Sequence, residues 1–304
     1  MSGAPLELRL AGAGGEPVDL WRTIVSHGLV ALPPMRVDEE RRTLESTLRA
    51  LPGQPPRTVE VAAGTPGRAR IAVRGRRPGA REAAALLAAV AHVRRLDEDL
   101  RPFYALVAGD PALGWAGAGA GRMVRSQSVF EDVVKTICTT NCAWSATERM
   151  VHALVGHLGE PAPGAPASGP WGRAFPTAAA MAAAPEAFYR DVARAGYRGA
   201  YLRSLAHAVA AGELDLEALG EPALPDGEVE LRLLALPGVG PYAAAHVMML
   251  LGRYSRLVLD SWTRPTYARL TGRAVPDRTL ERRFRRYGRW AGLAFWLTVT
   301  EDWA

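Results

Sequence analysis

Asp260 follows the apolar run Leu257–Leu259 and directly precedes a helical pattern that begins near residue 262. A carboxylate at this position could have either of two roles. It can accept the free N–H groups at the start of the next helix. It can also stabilise a positive charge that develops in a transition state. The two roles are compatible, and the residue type alone leaves both open.

The segment Leu-Pro-Gly-Val-Gly-Pro at 236–241 joins two apolar helical patterns through a very short turn. Its glycines allow positive φ and let another molecule approach the backbone closely. Pro241 suits the first turn of a helix, where its missing N–H is not needed. The free N–H groups at that helix start favour an anion such as phosphate. The alternative is a plain corner between two helices.

Amine and thiol chemistry is restricted by composition. Lys135 is the only lysine, so a mechanism that needs a lysine amine must use it or the N-terminus. Cys138 and Cys142 are too few for a disulfide framework or a four-cysteine cluster, so we expect no iron–sulfur cluster. Their spacing places them on one helix face, where buried apolar cysteines are favoured over a two-thiol zinc site.

The chain has 304 residues, 48% of them hydrophobic, and a formal net charge of +6. This length allows one large domain or two smaller ones. The positive charge favours a polyanionic partner, although many arginine-rich proteins share it. No apolar run reaches membrane-spanning length and no signal peptide is visible at Met1, so we expect a cytoplasmic protein with no membrane partner.

The first hundred residues alternate like strands at 6–10, 57–63 and 68–75, and Gly-Thr-Pro-Gly between the last two predicts a hairpin turn. Residues 37–51 and 81–100 have helical spacing. Together these patterns predict a small α+β subdomain with an antiparallel sheet over residues 1–105.

From residue 106 to 304 the pattern is almost wholly helical, so the fold class is α+β with a mostly helical main domain. Residues 130–158 form one long helix or two helices broken near Thr139–Asn141. The Pro/Gly-rich stretch 159–172 predicts a loop. Further helices are predicted at 177–184, 186–194, 199–211, 228–235, 241–252, 262–270 and 279–302, with the hairpin spanning 228–252.

Leu236–Pro241, the apolar helix after it and Leu257–Asp260 together resemble the helix-hairpin-helix DNA glycosylases. Phe130 to Asn141 and Gly196-Tyr197-Arg198 are similar to segments of the 8-oxoguanine glycosylases. Segments of the C-terminus resemble bacterial 3-methyladenine DNA glycosylase II, namely Arg285-Arg286-Tyr287, Trp290 and Glu301-Asp302-Trp303. The resemblance covers roughly residues 100–304, and the N-terminal strands fit the smaller sheet subdomain of both families.

The resemblance implies a DNA glycosylase of base-excision repair in which Asp260 is the catalytic carboxylate. Asp260 would stabilise the oxocarbenium-like sugar and orient the attacking water. Bifunctional relatives carry a lysine where this chain has Tyr242, and that lysine forms a Schiff base. Tyr242 cannot do so, and nothing places Lys135 in the pocket. We therefore expect a monofunctional enzyme that leaves an abasic site.

The resemblance also implies contacts with double-stranded DNA that contains a damaged base. The hairpin residues Gly238, Val239, Gly240 and Ala243 would bind phosphate through their backbone. A monovalent cation, Na⁺ or K⁺, would bridge the hairpin to DNA through the carbonyls of Leu234, Leu236 and Val239, and no other cofactor is required. Asn141 and Tyr197 would fill the gap left by the flipped base, and Arg198 would contact the orphaned base or a phosphate. We expect the enzyme to act as a monomer.

The base pocket is predicted to be aromatic, with rings from Trp144, Tyr242, Trp262, Phe295 and Trp296. Such a pocket suits a cationic alkylated purine, which leaves without protonation. Phe295 falls roughly where the oxidised-guanine enzymes place a glutamine, although Phe295 and Trp296 also fit a helix core. Two alternatives stay open: an oxidised-purine glycosylase without lyase action, and a catalytically silent protein that binds damaged DNA. Cys142, Ala143 and Ala146 depart from the oxidised-guanine pattern, which puts recognition of an opposite cytosine in doubt.

Overall fold

An antiparallel five-stranded sheet lies beside a helical body in the computed structural model, which describes residues 6–303. The strand order is β1-β5-β4-β3-β2. The strands are Leu6–Arg9 (β1), Met35–Asp38 (β2), Thr43–Leu48 (β3), Arg57–Ala63 (β4) and Arg68–Val73 (β5). The predicted hairpin between β4 and β5 is confirmed, with Val59 opposite Val73 in the register. The α+β fold class is likewise confirmed.

The helix predicted over 37–51 is wrong, because this segment forms the second half of β2, a turn and β3. The chain reverses through Arg42, whose φ is +52°. All six residues of β3 are buried, polar and apolar alike, because it is an inner strand of the sheet. A strand covered on both faces does not alternate between apolar and polar side chains, so its periodicity is lost.

The helix predicted over 81–100 ends early, at Val93 of α2 (Ala80–Val93). Arg95 has a φ of +54°, which ends the helix, and α3 (Arg101–Val107) begins afresh with a proline in its first turn. The Arg95 guanidinium is buried and donates to the backbone carbonyl of Leu250. A tertiary contact, absent from the local pattern, therefore sets this boundary.

Helices account for most of the remaining chain. Besides the short α1 (Leu20–Ile24), they are α4 (Val129–Thr139), α5 (Trp144–Leu158), α6 (Ala178–Ala183), α7 (Arg198–Ala210), α8 (Asp226–Leu234), α9 (Pro241–Leu250), α10 (Thr263–Thr271), α11 (Asp277–Phe284) and α12 (Ala291–Val299). Short tight turns of helix lie at 28–31, 114–118, 217–220, 285–290 and 301–303, and one wide turn lies at 188–192. Residues 130–158 thus form two helices, as one of the two alternatives predicted.

The single helix predicted over 279–302 is wrong, since the segment breaks into α11, a 3₁₀ turn, α12 and a last short turn. Gly288 causes the break, with φ +56° and ψ −128°. Beyond it, the N–H of Gly292 donates to the carbonyl of Tyr254 at 2.6 Å, which holds α12 against the loop before Asp260.

Helix α9 is the centre of the helical body. Its residues 243–250 are all buried. Ala243, Val247 and Leu250 belong to one hydrophobic core, whereas Ala245 and Met249 belong to a second core built on α12. A third core underlies the sheet. Despite the apolar character of α9, no helix within residues 6–303 combines the length and hydrophobicity needed to cross a bilayer.

Candidate active site

The turn between α8 and α9 requires glycine at one of its two glycine positions. Gly238 has φ +82°, and a Cβ added there would lie 2.7 Å from the Tyr201 ring. Gly240 has an ordinary φ of −98°, and an added Cβ would meet nothing within 4 Å. The fold therefore requires glycine at position 238, whereas position 240 has open space where a side chain would lie.

The start of α9 presents free backbone donors toward this open space. The N–H of Ala244 bonds to the Gly240 carbonyl at 2.9 Å, but the N–H groups of Gly240, Tyr242 and Ala243 have no backbone acceptor within residues 6–303. Gly240 is exposed and Tyr242 is half-buried, whereas Ala243 is fully buried in this structure. These donors, with the positive end of the helix dipole, form a site that fits an anion.

Asp260 caps α10 with one oxygen and leaves the other uncommitted. Its Oδ1 accepts the N–H of Trp262 at 2.8 Å and that of Thr263 at 2.6 Å. In return, the Thr263 hydroxyl oxygen accepts the Asp260 N–H at 2.9 Å. The other carboxylate oxygen, Oδ2, accepts no hydrogen bond from residues 6–303. The capping pair therefore fixes the orientation of the carboxylate.

A cavity with a volume of about 660 Å³ opens beside Asp260 and the start of α9. Four of the five predicted pocket residues line it, namely Trp144, Tyr242, Trp262 and Trp296, together with Asp260 and Asn141. The structure thus brings the carboxylate and a group of aromatic rings to one place. The fifth predicted pocket residue lies elsewhere.

Phe295 belongs to the core and does not reach the cavity. It is fully buried, with its ring centroid 5.2 Å from that of Phe284 and 5.9 Å from that of Tyr267. Its neighbour Trp296 points to the cavity, since successive helical residues are about 100° apart around the axis. The prediction that Phe295 lines the base pocket is therefore wrong.

The tryptophans of the cavity are held by specific contacts. The Trp296 indole N–H donates to the Ser26 carbonyl at 2.8 Å. Trp262 lies 6.0 Å from Trp296 and 5.2 Å from Trp303 between ring centroids. Trp144 donates to the Glu148 carboxylate at 3.0 Å. These rings form an indole-rich wall whose orientation does not depend on a ligand.

Sequence reasoning missed several cavity residues, namely His246, Trp303, Gly28 and Leu29. His246 follows Tyr242 by four positions, so helical spacing alone could have placed it on the same face. Gly28 and Leu29 come from the N-terminal region, and no local signal connects them to α9. A Cβ added at Gly28 would lie 3.5 Å from the Trp144 ring, so this glycine adjoins that wall.

Two buried histidines lie beneath the cavity and stay neutral near pH 7. Burial lowers the pKa of His246 to about 4. Burial, and then the nearby His246, lower the pKa of His27 to about 3. Their ring centroids are 6.1 Å apart, and His27 Nε2 donates to the Val124 carbonyl at 2.5 Å. The two histidines therefore add no charge to the cavity, whose charged lining residues are Asp260 and Arg264.

Tyr242 takes part in both the cavity wall and the helical packing. Its hydroxyl lies 3.2 Å from the Thr139 hydroxyl, and burial raises the pKa of its phenol. Lys135, in contrast, is fully buried on α4, with its Nζ 2.6 Å from the Glu131 carboxylate. Lys135 is not a cavity residue. Tyr242 thus occupies the helix position at which an amine would reach the cavity.

Asn141 and Tyr197 meet on the surface. Asn141 has φ +47° between α4 and α5, and its amide donates to the Tyr197 hydroxyl at 3.5 Å. Tyr197 is 53% exposed, as an inserting side chain requires. Arg198 is buried beneath them. It donates to the Thr140 carbonyl and its guanidinium lies 4.5 Å from the Tyr197 ring centre. Arg198 therefore supports the Asn141 turn instead of presenting its side chain for the predicted contact with the orphaned base or a phosphate.

The carbonyls proposed for a monovalent cation lie around the hairpin turn. The Leu236 carbonyl accepts the Val239 N–H at 3.2 Å, whereas no backbone N–H within residues 6–303 donates to the carbonyls of Leu234 or Val239. Carbonyl oxygens are suitable ligands for Na⁺ and K⁺, so the donor set fits such an ion. No cluster of His, Cys, Asp and Glu in the same range could hold a metal.

Solved structures of two types of DNA glycosylase are similar to this chain over nearly its whole length. The 3-methyladenine DNA glycosylase from Archaeoglobus fulgidus gives a TM-score of 0.73 at 20% identity, covering 97% of this chain and 98% of that chain. The 8-oxoguanine glycosylase/lyase from Clostridium acetobutylicum, in its apo form, also gives 0.73 at 20% identity, covering 99% and 97%. No protein-family model and no curated protein sequence matches the chain.

The helix-hairpin-helix turn, the helical body and the small sheet define the fold as that of the helix-hairpin-helix DNA glycosylases. The resemblance stated from the sequence is confirmed at this level. The same fold matches the Clostridium enzyme in complex with double-stranded DNA containing cytosine opposite 8-oxoguanine, with a TM-score of 0.69 at 20% identity over 94% and 93% of the two chains.

The neutral state of His246 predicts a pH dependence of stability. Its folded pKa is about 4 against an ordinary value of 6.5, so between these values the unfolded chain binds more protons. The stability that its neutral burial provides is complete above about pH 6.5 and falls by about 1.4 kcal/mol per pH unit toward pH 4.

His246→Leu removes this contribution. The difference in unfolding free energy between wild type and variant should therefore change by about 1.4 kcal/mol per unit between pH 6 and pH 4.5, in favour of the variant at low pH. Urea denaturation at several pH values measures it. Comparing the two proteins cancels other titrating groups, such as Asp132. A difference that does not vary with pH would contradict the neutral assignment.

Proposed function

We propose that the protein is a monofunctional DNA glycosylase, which flips a damaged base out of duplex DNA and hydrolyses its N-glycosidic bond. An alkylated purine is the favoured substrate. The observation that carries the proposal is the Asp260 carboxylate, oriented by its cap bonds and with Oδ2 uncommitted, at the wall of an aromatic cavity next to the hairpin. A protein that only binds damaged DNA would need Asp260 for the helix cap alone, and an uncharged asparagine would serve that purpose as well.

The chemistry follows from this placement. As the bond between the sugar C1′ and the base nitrogen breaks, positive charge develops on the deoxyribose, and the Asp260 carboxylate stabilises it. A water oxygen then bonds to C1′, the base leaves with the electron pair of the broken bond, and the water proton passes to solvent through Asp260. The products are a free base and an abasic site.

The favoured base follows from what the cavity offers. No second carboxylic acid lines the cavity within residues 6–303 to protonate a poor leaving group. A cationic N-alkylated purine leaves as a neutral molecule and needs no such acid. The indole rings of Trp262, Trp296 and Trp303 favour a cation by their negative faces. The likeness to an 8-oxoguanine enzyme keeps oxidised purines as the second candidate.

The hairpin would hold the DNA backbone. The N–H groups of Gly240 and Tyr242 can donate to a phosphate oxygen, and such contacts are independent of base sequence. A monovalent cation on the carbonyls of Leu234, Leu236 and Val239 would add positive charge at the same phosphate. Asn141 and Tyr197, exposed together, are suited to fill the space left by the flipped nucleotide. The proposed partner is damaged double-stranded DNA, bound by a monomer.

Asp260→Asn tests the catalytic carboxylate. Asparagine keeps an oxygen that accepts the two cap bonds, so the fold and duplex binding should persist. Base release should fall at least about 100-fold, because the negative charge is lost. The measurement is a release assay with duplexes that hold 3-methyladenine, 7-methylguanine, hypoxanthine, uracil or 8-oxoguanine. Unchanged release by the variant would refute the mechanism.

Borohydride trapping tests monofunctionality. A Schiff base needs an amine at the sugar, whereas Lys135 is buried against Glu131 and Tyr242 carries no amine. Incubation with damaged duplex and borohydride should therefore yield no covalent protein–DNA adduct. A glycosylase/lyase treated in parallel provides the positive control. A trapped complex of this protein would show that it is bifunctional.

Gly240→Asp tests the anion site of the hairpin. The backbone angles at Gly240 suit any residue and an added Cβ meets no protein atom, so the variant should fold normally. A carboxylate facing the phosphate should weaken binding to all duplexes at least about tenfold, independent of sequence. Gly240→Asn, similar in size but uncharged, is the matched control. If the two variants and wild type bound duplex DNA with equal affinity, the proposed role of the hairpin in DNA binding would be wrong.

A further inference from the structure

His246 is a buried polar residue of the cavity wall that the proposed mechanism does not use. It is 6% exposed and lines the cavity, yet neither Nδ1 nor Nε2 has a hydrogen-bond partner within residues 6–303. Buried polar atoms without a partner are rare in native proteins and call for an explanation. A ligand in the cavity that bonds to the imidazole would provide one.

The rings around His246 fix its position without bonding to its nitrogens. The ring centroid of Tyr242 lies 5.8 Å away, that of His27 6.1 Å and that of Trp296 6.2 Å, all in edge-to-face arrangements. His27 does not bond to it either: its Nε2 donates to the Val124 carbonyl, and its Nδ1 has no hydrogen-bond partner within residues 6–303. The imidazole is therefore held in place by packing while its hydrogen-bonding capacity is unused.

The charge state of His246 matters for the base. A neutral imidazole offers one donor and one acceptor, so it can pair with an amino or carbonyl group on a purine edge. An imidazolium at this depth would repel a cationic base. Packing against aromatic rings, with no carboxylate bonded to the ring, keeps His246 neutral, and this suits a base that carries positive charge.

We propose that His246 is a specificity-determining residue that hydrogen bonds to the edge of the flipped purine. This inference rests on the proposed function and extends it: the cavity takes a purine that offers both a hydrogen-bonding edge and, on alkylation, a positive charge. The aromatic rings select a base by its shape and charge, whereas His246 selects it by the hydrogen-bonding groups on the purine edge.

The test compares base release by three variants with release by wild type at pH 7.5. His246→Leu removes the hydrogen bond and keeps a buried side chain, whereas His246→Gln retains a donor and an acceptor. Met249→Leu, on the same helix but in the second core, is the packing control. Each protein is assayed for kcat/KM on a 7-methylguanine duplex and for affinity to a duplex with an abasic site, which carries no base to contact His246.

His246→Leu should lower kcat/KM for 7-methylguanine by about 10- to 100-fold. His246→Gln should recover at least about a third of the activity, Met249→Leu should stay within about twofold, and all affinities for abasic duplex should be unchanged. The inference would be overturned if His246→Leu released the base as fast as wild type does. It would also be overturned if the Leu and Gln variants lost activity equally, or if their affinity for the abasic duplex fell in parallel with their activity. If wild type itself releases no base, the proposed function fails first, and the inference falls with it.

Discussion

The burial of α9 between two hydrophobic cores is the constraint on which the site depends. One face packs against α4 and α8, in a core to which Val247 belongs, and another contributes Ala245 and Met249 to the core that contains α12. A helix held on both sides cannot shift without disturbing close packing in either core. The free N–H groups at its start, and Tyr242 and His246 on its first turns, are consequently fixed in relation to one another.

Asp260 combines a structural role with the proposed chemical role in one side chain. The capping bonds to Trp262 and Thr263 use a single oxygen, and they do not change the charge of the carboxylate. These bonds also hold the carboxylate in one orientation, so in the proposed reaction it loses no further conformational entropy when the substrate binds. The cap and the proposed catalytic role therefore support each other.

Local signals made the hairpin, Asp260 and most of the aromatic residues predictable from sequence. Glycine, proline and a carboxylate at fixed spacing restrict the backbone directly. The predictions that failed concern residues whose direction depends on the rotation of a helix about its axis or on contacts with distant parts of the chain. Phe295 and Trp296 are adjacent and both belong to a core, and only the packing of α12 settles which of them also reaches the cavity. Arg198 was assigned to DNA, yet the turn at Asn141 places the Thr140 carbonyl within its reach.

The N-terminal subdomain forms part of the cavity, and no sequence pattern indicated this. The Ser26 carbonyl fixes the Trp296 indole, and His27 packs against His246. The Ser26 hydroxyl and the His27 ring both bond to the backbone of Val124, which itself packs in the core beneath the sheet. Residues 26–29 thus supply some of the contacts that orient Trp296 and His246, beside the ring contacts that both make within the helical body. Since this loop is bonded to Val124, in the core beneath the sheet, it links the sheet to the wall of the cavity.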